Sequence, residues 1–176
     1  SGLLTAVWVP DAATEAMRDL SRAREDAKAA ERVAREHLGK FLLRHGRRWT
    51  GKSNWTQAHM EWLERQAFEH EAQQRVLQDY LHQVQEAGAR VGRLEDDIAA
   101  QVKTWSRAPL AKTLQAFRGV RLVTAVGIVA EIGDFERFTS APKFMSFLGL
   151  TPAESSSGDS TRRYRITRAG NTPSGS

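Results

Sequence analysis

The sequence contains no cysteine, which excludes disulfides, thiolate metal sites and cysteine nucleophiles. Its five histidines are scattered without close ligand spacing, so no structural zinc is expected. No apolar run approaches the roughly 20 residues that span a bilayer. The opening "LLTAVWV" lacks a basic flank and the length of a signal peptide. These absences point to a cytoplasmic protein without membrane association. At 176 residues the chain can bury one ordinary core, or carry a small globular unit plus an extended helical element. With 40% hydrophobic and 27% charged residues it is too apolar for a disordered chain.

Charge is unevenly placed. Residues 1–105 hold 16 Lys/Arg against 16 Asp/Glu, whereas residues 106–176 hold 10 against 5. The whole net charge of +5 therefore belongs to the C-terminal part. A basic region of this kind suits a polyanion, most simply nucleic acid.

The pattern predicts an all-α fold. Pro10-Asp11 signals a helix start with Asp11 as N-cap. Ala16, Leu20, Ala23, Ala27, Ala30, Ala34, His37 and Phe41 then recur at spacings of 4 and 3, a heptad seam that Gly46 ends. A second seam runs through Tyr80, Val84, Ala87, Val91, Leu94, Ile98, Gln101 and Trp105. Two such seams predict a long antiparallel coiled-coil hairpin over residues 11–108, following a connecting segment at 1–10, and suit self-association. At the tip a short helix is expected after Thr56, and Arg47, Arg48, Trp49, Lys52 and Trp55 interleave cations with aromatics. That pattern grips nucleic-acid backbone and stacks on bases. It equally describes a small aromatic cluster closing the hairpin.

A compact unit is expected over residues 109–171, with a short tail at 172–176. "PLAKTLQAF" and "LVTAVGIVAEIG" read as helices joined by Gly119, Val120 and Arg121. This is similar to a helix-hairpin-helix DNA-binding element, with Arg121 where the motif has its second glycine. Thr139 or Ser140 is placed to cap a further helix with Pro142 in its first turn and Gly149 at its end. "TPAESSSGDSTRRYRITRAGN" follows, a serine run beside Arg162, Arg163, Arg165 and Arg168. A serine nucleophile needs a base or metal, and cations that neutralise a phosphoryl transition state. The cations are there and no histidine is close, so a phosphate-binding loop and a nucleophile both remain open.

The stretch from Phe117 to Asn171 resembles the C-terminal domain of bacterial insertion-sequence transposases that pair an N-terminal RuvC-like domain with a serine-bearing domain, the bridge-RNA-guided DNA recombinases. The elements that carry the resemblance are Gly119-Val120, Thr124-Ala125, Ala130 to Asp134, Phe138 to Phe147, Gly149 to Pro152, Ser157-Gly158, Arg162 to Arg168 and Gly170-Asn171. Residues 4–105 also look like the helical connecting region of one branch of that family. Tyr164 stands where relatives have a small residue, and "NTPSGS" replaces a basic helical continuation.

The resemblance implies that Ser157, or Ser156 in the adjoining register, attacks a DNA phosphodiester. It implies DNA contacts from Gly119, Arg121, Arg162, Arg163, Arg165, Arg168 and Asn171, and a guide RNA as second partner, for which Arg47, Arg48, Trp49 and Lys52 are the candidate contacts. It places magnesium in the RuvC-like domain, with no metal site in these residues, and the protein on the bacterial nucleoid. The chain is then expected to be catalytically incomplete by itself. The alternative is a non-catalytic DNA-binding and dimerisation module.

Overall fold

The computed structural model describes residues 11–132, 143, 146, 149–152 and 164–166. The fold is all-α in class, with five described helices: α1 (Ala12–Arg44), α2 (Gln57–Glu64), α3 (Glu71–Val102), α4 (Ala108–Gln115) and α5 (Leu122–Glu131). A small sheet that the sequence reading did not anticipate accompanies them: β1 (Phe117–Arg118), β2 (Leu150–Pro152) and β3 (Tyr164–Ile166). The chain divides into two compact units, residues 23–94 and the remainder. The expected junction at 108/109 therefore lies inside the second unit, because the flanking parts of α1 and α3 share its core.

In the unit of residues 23–94, α1 and α3 run antiparallel: Glu31 lies against Gly88, while Phe41 meets Tyr80 at 5.5 Å between ring centroids. Leu38, Phe41, Leu42, Leu63, Leu77, Leu81 and Val84 form its core. α1 ends as Gly46 predicts. Gly46 has φ 70, its N–H donates to the Leu43 carbonyl and the Arg47 N–H to that of Leu42, a left-handed glycine stop. α2 begins at Thr56, whose hydroxyl accepts the His59 N–H at 3.2 Å.

The α1 seam differs from the expected one. Of the expected positions in this unit, Ala27 and Phe41 are buried and Ala34 packs half-buried on the core, but Ala30 and His37 are exposed, and Glu31, Leu38 and Leu42 are buried beside them. The buried stripe is turned by roughly one residue, about 100° of helix. Part of that stripe is polar: Glu31, its side chain only 9% exposed, pairs with Lys28 at 3.1 Å and lies 3.7 Å from Arg35. Two of the five seam alanines, Ala16 and Ala30, face solvent, where alanine serves as a strong helix former. The α3 seam holds at Val84, Val91, Ile98 and Trp105, all buried, while Gln101 is exposed. Phe41 and Tyr80 bring the two stripes together within one chain.

In the other unit, Asp11 caps α1 by accepting the Thr14 N–H at 2.6 Å. That bond holds the Asp11 carboxyl below its usual range. Met17, Ile98, Val102, Trp105, Leu114, Phe117, Val123 and Val126 form the core. The Trp105 indole N–H reaches the Thr14 hydroxyl at 3.3 Å. Here too the buried α1 positions, Thr14, Met17 and Ser21, are partly polar, and Ala16 is exposed. Ser21 marks a close approach of α1 to α5, since a Cβ on Gly127 would stand 2.8 Å from its hydroxyl.

Candidate nucleic-acid interface

α4 and α5 are joined through β1 and a turn at Gly119. Gly119 has φ 84, and the space around it is open, so glycine is required there by conformation and not by crowding. Val120 points into the core and its N–H donates to the Phe117 carbonyl at 3.3 Å. Arg121 is the N-cap of α5 with no side-chain cap bond. Among the described residues, the first-turn N–H groups of α5 thus have no side-chain acceptor from the cap position, the arrangement a phosphate oxygen suits.

Arg121 extends across to Glu95, donating at 2.8 Å with its own side chain 65% exposed. Glu95 is the more buried partner, its side chain 21% exposed. At the other end of α5, Arg107 donates to the Val129 and Ile132 carbonyls, and Arg18 to that of Ala130. Arg22 makes a two-pronged bond to Glu131 at 2.8 and 2.9 Å. These bonds hold the Glu131 carboxyl below its usual range, with further charge attraction from Arg22 and Arg18. Arg18, Arg22 and Arg107 thus bind the C-terminal end of the helix, and Arg121 stands at its N-terminal end.

The sheet adds what linear reading missed. β3 pairs in parallel with β1 and antiparallel with β2, giving the order β1-β3-β2. Arg165 is the register partner of both Arg118 and Thr151. Arg165 is thereby tied by backbone to the strand beside the Gly119 turn, 46 positions earlier in the sequence. Pro152 is the partner of Tyr164, so the chain leaves β2 and enters β3 at paired positions. Gly149, with φ 74, donates its N–H to the Ser146 carbonyl just before β2. Ser156, Ser157, Arg162, Arg163, Arg168 and Asn171 lie outside the described residues, as do Thr139, Ser140 and Pro142.

At the hairpin tip the aromatic residues pack on one another. His59 is stacked on Trp62 at 5.8 Å and meets Trp49 and Trp55 at 5.3 and 4.9 Å. Arg47 is committed internally, donating to Gln66 and the Ala67 carbonyl and lying 4.1 Å over the Phe68 ring. Arg48 and Lys52 are exposed and have no ion-pair or hydrogen-bond partner among the described residues. The tip is thus an aromatic cluster with two outward cations. Arg35, whose guanidinium lies 4.7 Å over Trp55, is a member that sequence reading missed. The signal was present as Lys28, Arg32 and Arg35, cations spaced 4 and 3 along α1.

His59 accepts the Trp55 backbone N–H on Nδ1 at 2.8 Å, so its proton resides on Nε2. Burial, reinforced by the charge of Arg35, holds its pKa below 6.5. The unfolded chain therefore takes up this proton first as pH falls, and native stability declines below about pH 6.5. Thermal unfolding between pH 7.5 and 5 is expected to show a falling Tm in the wild type and a flatter profile in His59→Asn, whose amide oxygen replaces the acceptor. Parallel profiles would show that another group governs this range.

Among the described residues, no three His, Asp or Glu side chains gather to hold a metal ion. None of the described helices is long and apolar enough to cross a membrane.

Residues 111–173 match the transposase IS116/IS110/IS902 family. The chain is 44% identical over 171 residues to the putative transposase y4qE of Sinorhizobium fredii, a match covering 97% of this chain and 40% of that protein. It is 28% identical over 123 residues to the transposase for insertion sequence element IS1533 of Leptospira borgpetersenii, covering 69% of this chain and 36% of the relative. A probable family 20 transposase of Pseudomonas aeruginosa is 31% identical over 97 residues, 55% of this chain and 28% of that one. The chain thus spans at most two fifths of these relatives' length. No solved structure matches it. The Gly119 turn, the β1-β3-β2 sheet and the serine and arginine runs all fall within the segment, residues 111–173, that is similar to the IS116/IS110/IS902 transposase family.

Proposed function

We propose that these residues are the helical and C-terminal part of an RNA-guided DNA transposase that cuts and rejoins strands through a serine. The observation that carries this reading is the family match over residues 111–173, which includes the whole serine run and the arginine cluster. Ser157, or Ser156 one register away, is the nucleophile. Its Oγ forms a bond to the phosphorus of a DNA phosphodiester. The bond from phosphorus to one deoxyribose oxygen breaks, and that oxygen leaves as a hydroxyl once protonated. Rejoining is the reverse attack by a strand hydroxyl on the phosphoserine, so the phosphoester bond is kept and no nucleotide hydrolysis is needed.

Arg162, Arg163, Arg165 and Arg168 neutralise charge on the transferred phosphoryl group, while Gly119, Arg121 and Asn171 contact the DNA backbone. The register that pairs Arg165 with Arg118 supports grouping these contacts. Guide RNA is assigned to the hairpin tip, where Arg48 and Lys52 face outward; Trp49 lies in the aromatic cluster, and Arg47 supports the tip from within. Magnesium is assigned to a RuvC-like domain outside these residues. Self-association through the seams at residues 16–41 and 80–105 also belongs to this reading, and it competes with packing inside the chain, where seam residues such as Phe41 and Ile98 are already buried. The site of action is the bacterial nucleoid.

The second reading, a DNA-binding and dimerisation module without chemistry, draws on the α4-Gly119-α5 arrangement alone. Denaturing capture separates the two. Full-length protein incubated with labelled DNA is expected to yield a covalent adduct mapped by mass spectrometry to Ser157 or Ser156. Recombination proceeding with an adduct on another residue would reject the serine assignment.

A further inference from the structure

Beside the hairpin tip lies a cleft of about 750 Å³, lined within one compact unit by α1, the tip loop and α2. One wall is aromatic, with Trp49, Trp55, Trp62 and His59; the α1 wall carries Lys28, Arg32 and Arg35, and Arg48 comes from the tip loop. We propose that this cleft binds a single-stranded nucleic-acid segment, with one unpaired base against the Trp49 and Trp55 wall and adjoining phosphates on Arg32 and Arg48. The inference deepens the reading above and rests on it for the class of partner.

Four observations converge. First, the tryptophans are fixed in advance. The Trp49 indole N–H donates to the Ser53 carbonyl at 3.0 Å, and a Cβ on Gly51 would overlap the indole, so the loop is shaped to admit this ring. Second, Trp55 is the one residue other than glycine with positive φ, 64, among the described residues. A bulky side chain disfavours that conformation, and such strain concentrates at sites of function. It is held here by the bond to His59 and by the Arg35 guanidinium above the ring.

Third, the cations sort into two groups. Lys28 and Arg35 neutralise the buried Glu31. Arg32 and Arg48 are exposed and have no ion-pair or hydrogen-bond partner among the described residues, while Glu36 is the remaining lining carboxylate. Fourth, an aromatic wall favours a free base face, which a single strand offers and a stacked duplex conceals. An acidic peptide would satisfy the arginines without using that wall.

The test uses the 176-residue chain and short fluorescein-labelled strands of one sequence, as RNA, as DNA and as DNA duplex. Arg32→Glu with Arg48→Glu changes only exposed side chains. It is expected to weaken single-strand binding roughly tenfold or more at low salt, with duplex binding within about twofold. Trp49→Ala should lose roughly five- to hundredfold, the range of one stacked base. Preference for the RNA strand identifies the ligand as guide RNA, and preference for the DNA strand identifies it as an unpaired DNA segment. Unchanged single-strand affinity in the double variant, or equal losses for single strand and duplex, overturns the proposal.

Photocrosslinking a 5-bromouracil strand to the wild-type chain gives a readout that needs no variant. Adducts on Trp49 or Trp55 support the cleft, and adducts confined to residues beyond 105 overturn it. Arg162→Glu with Arg163→Glu keeps the two readings apart. If that variant alone loses nucleic-acid binding, the C-terminal interface stands and the cleft fails. If the chain binds single strands through the cleft but no duplex DNA, the cleft stands and the DNA interface fails.

Discussion

Full-length protein in which Ser156 and Ser157 are both replaced by alanine is expected to lose strand cleavage and rejoining by at least about a thousandfold while binding nucleic acid as before. An alanine side chain cannot form the phosphoester through which both half-reactions run. The arginines and the α5 N-terminus remain, so binding should change by less than about twofold, as the loss of a neutral hydroxyl leaves counterion release untouched. The single variants then assign the register. One of them should match the double variant, and the other should retain most activity. Substantial recombination by the double variant would remove the serine mechanism and leave the DNA-binding module as the better reading of the same turn and sheet.

The sheet gives that experiment a companion. Arg165 pairs in register with Arg118 beside the Gly119 turn, and Pro152 pairs with Tyr164 where the chain leaves for the serine run and returns. None of this is apparent along the sequence. β1 has two residues and β2 and β3 have three each, too short for alternation of apolar and polar positions to register as strand. The glycines were legible because positive φ leaves a residue signature, as Gly46, Gly119 and Gly149 show. The caps at Asp11 and Thr56 were legible for the same reason: each needs a side-chain acceptor at one position.

Side-chain networks were less so. The cleft draws on cations three and four residues apart on α1 and on tryptophans from a loop and a second helix, and only the fold brings them to one place. Arg47 reads as an outward cation in a basic stretch, yet its guanidinium is committed to Gln66, the Ala67 carbonyl and the Phe68 ring. Charge alone does not distinguish an arginine that supports a turn from one that meets a ligand.

Leu38→Ala and His37→Ala, two changes at adjacent positions, should differ sharply in stability. Leu38 is fully buried among Leu42, Leu63, Leu77 and Leu81, and removing its branched end leaves a cavity, at a cost of about 2–5 kcal/mol. His37 occupies the seam inferred from spacing but is exposed, and its described ring contact is with Tyr80 at 6.1 Å. Its replacement should change stability by less than about 0.5 kcal/mol, as is usual for surface sites. Spacing turned the stripe because Ala16 and Ala30 extend a regular pattern that costs nothing on a solvated face, while Glu31 interrupts the buried stripe with a charge. That charge is tolerated where Lys28 and Arg35 meet it and Gly88 leaves room, since a Cβ at position 88 would come within 3.3 Å of the carboxylate. Urea unfolding of the two variants at one temperature decides the matter. Comparable losses at both positions would turn the α1 stripe back toward His37, whereas loss at Leu38 alone establishes the buried face on which the hairpin, its aromatic tip and the cleft beside it are built.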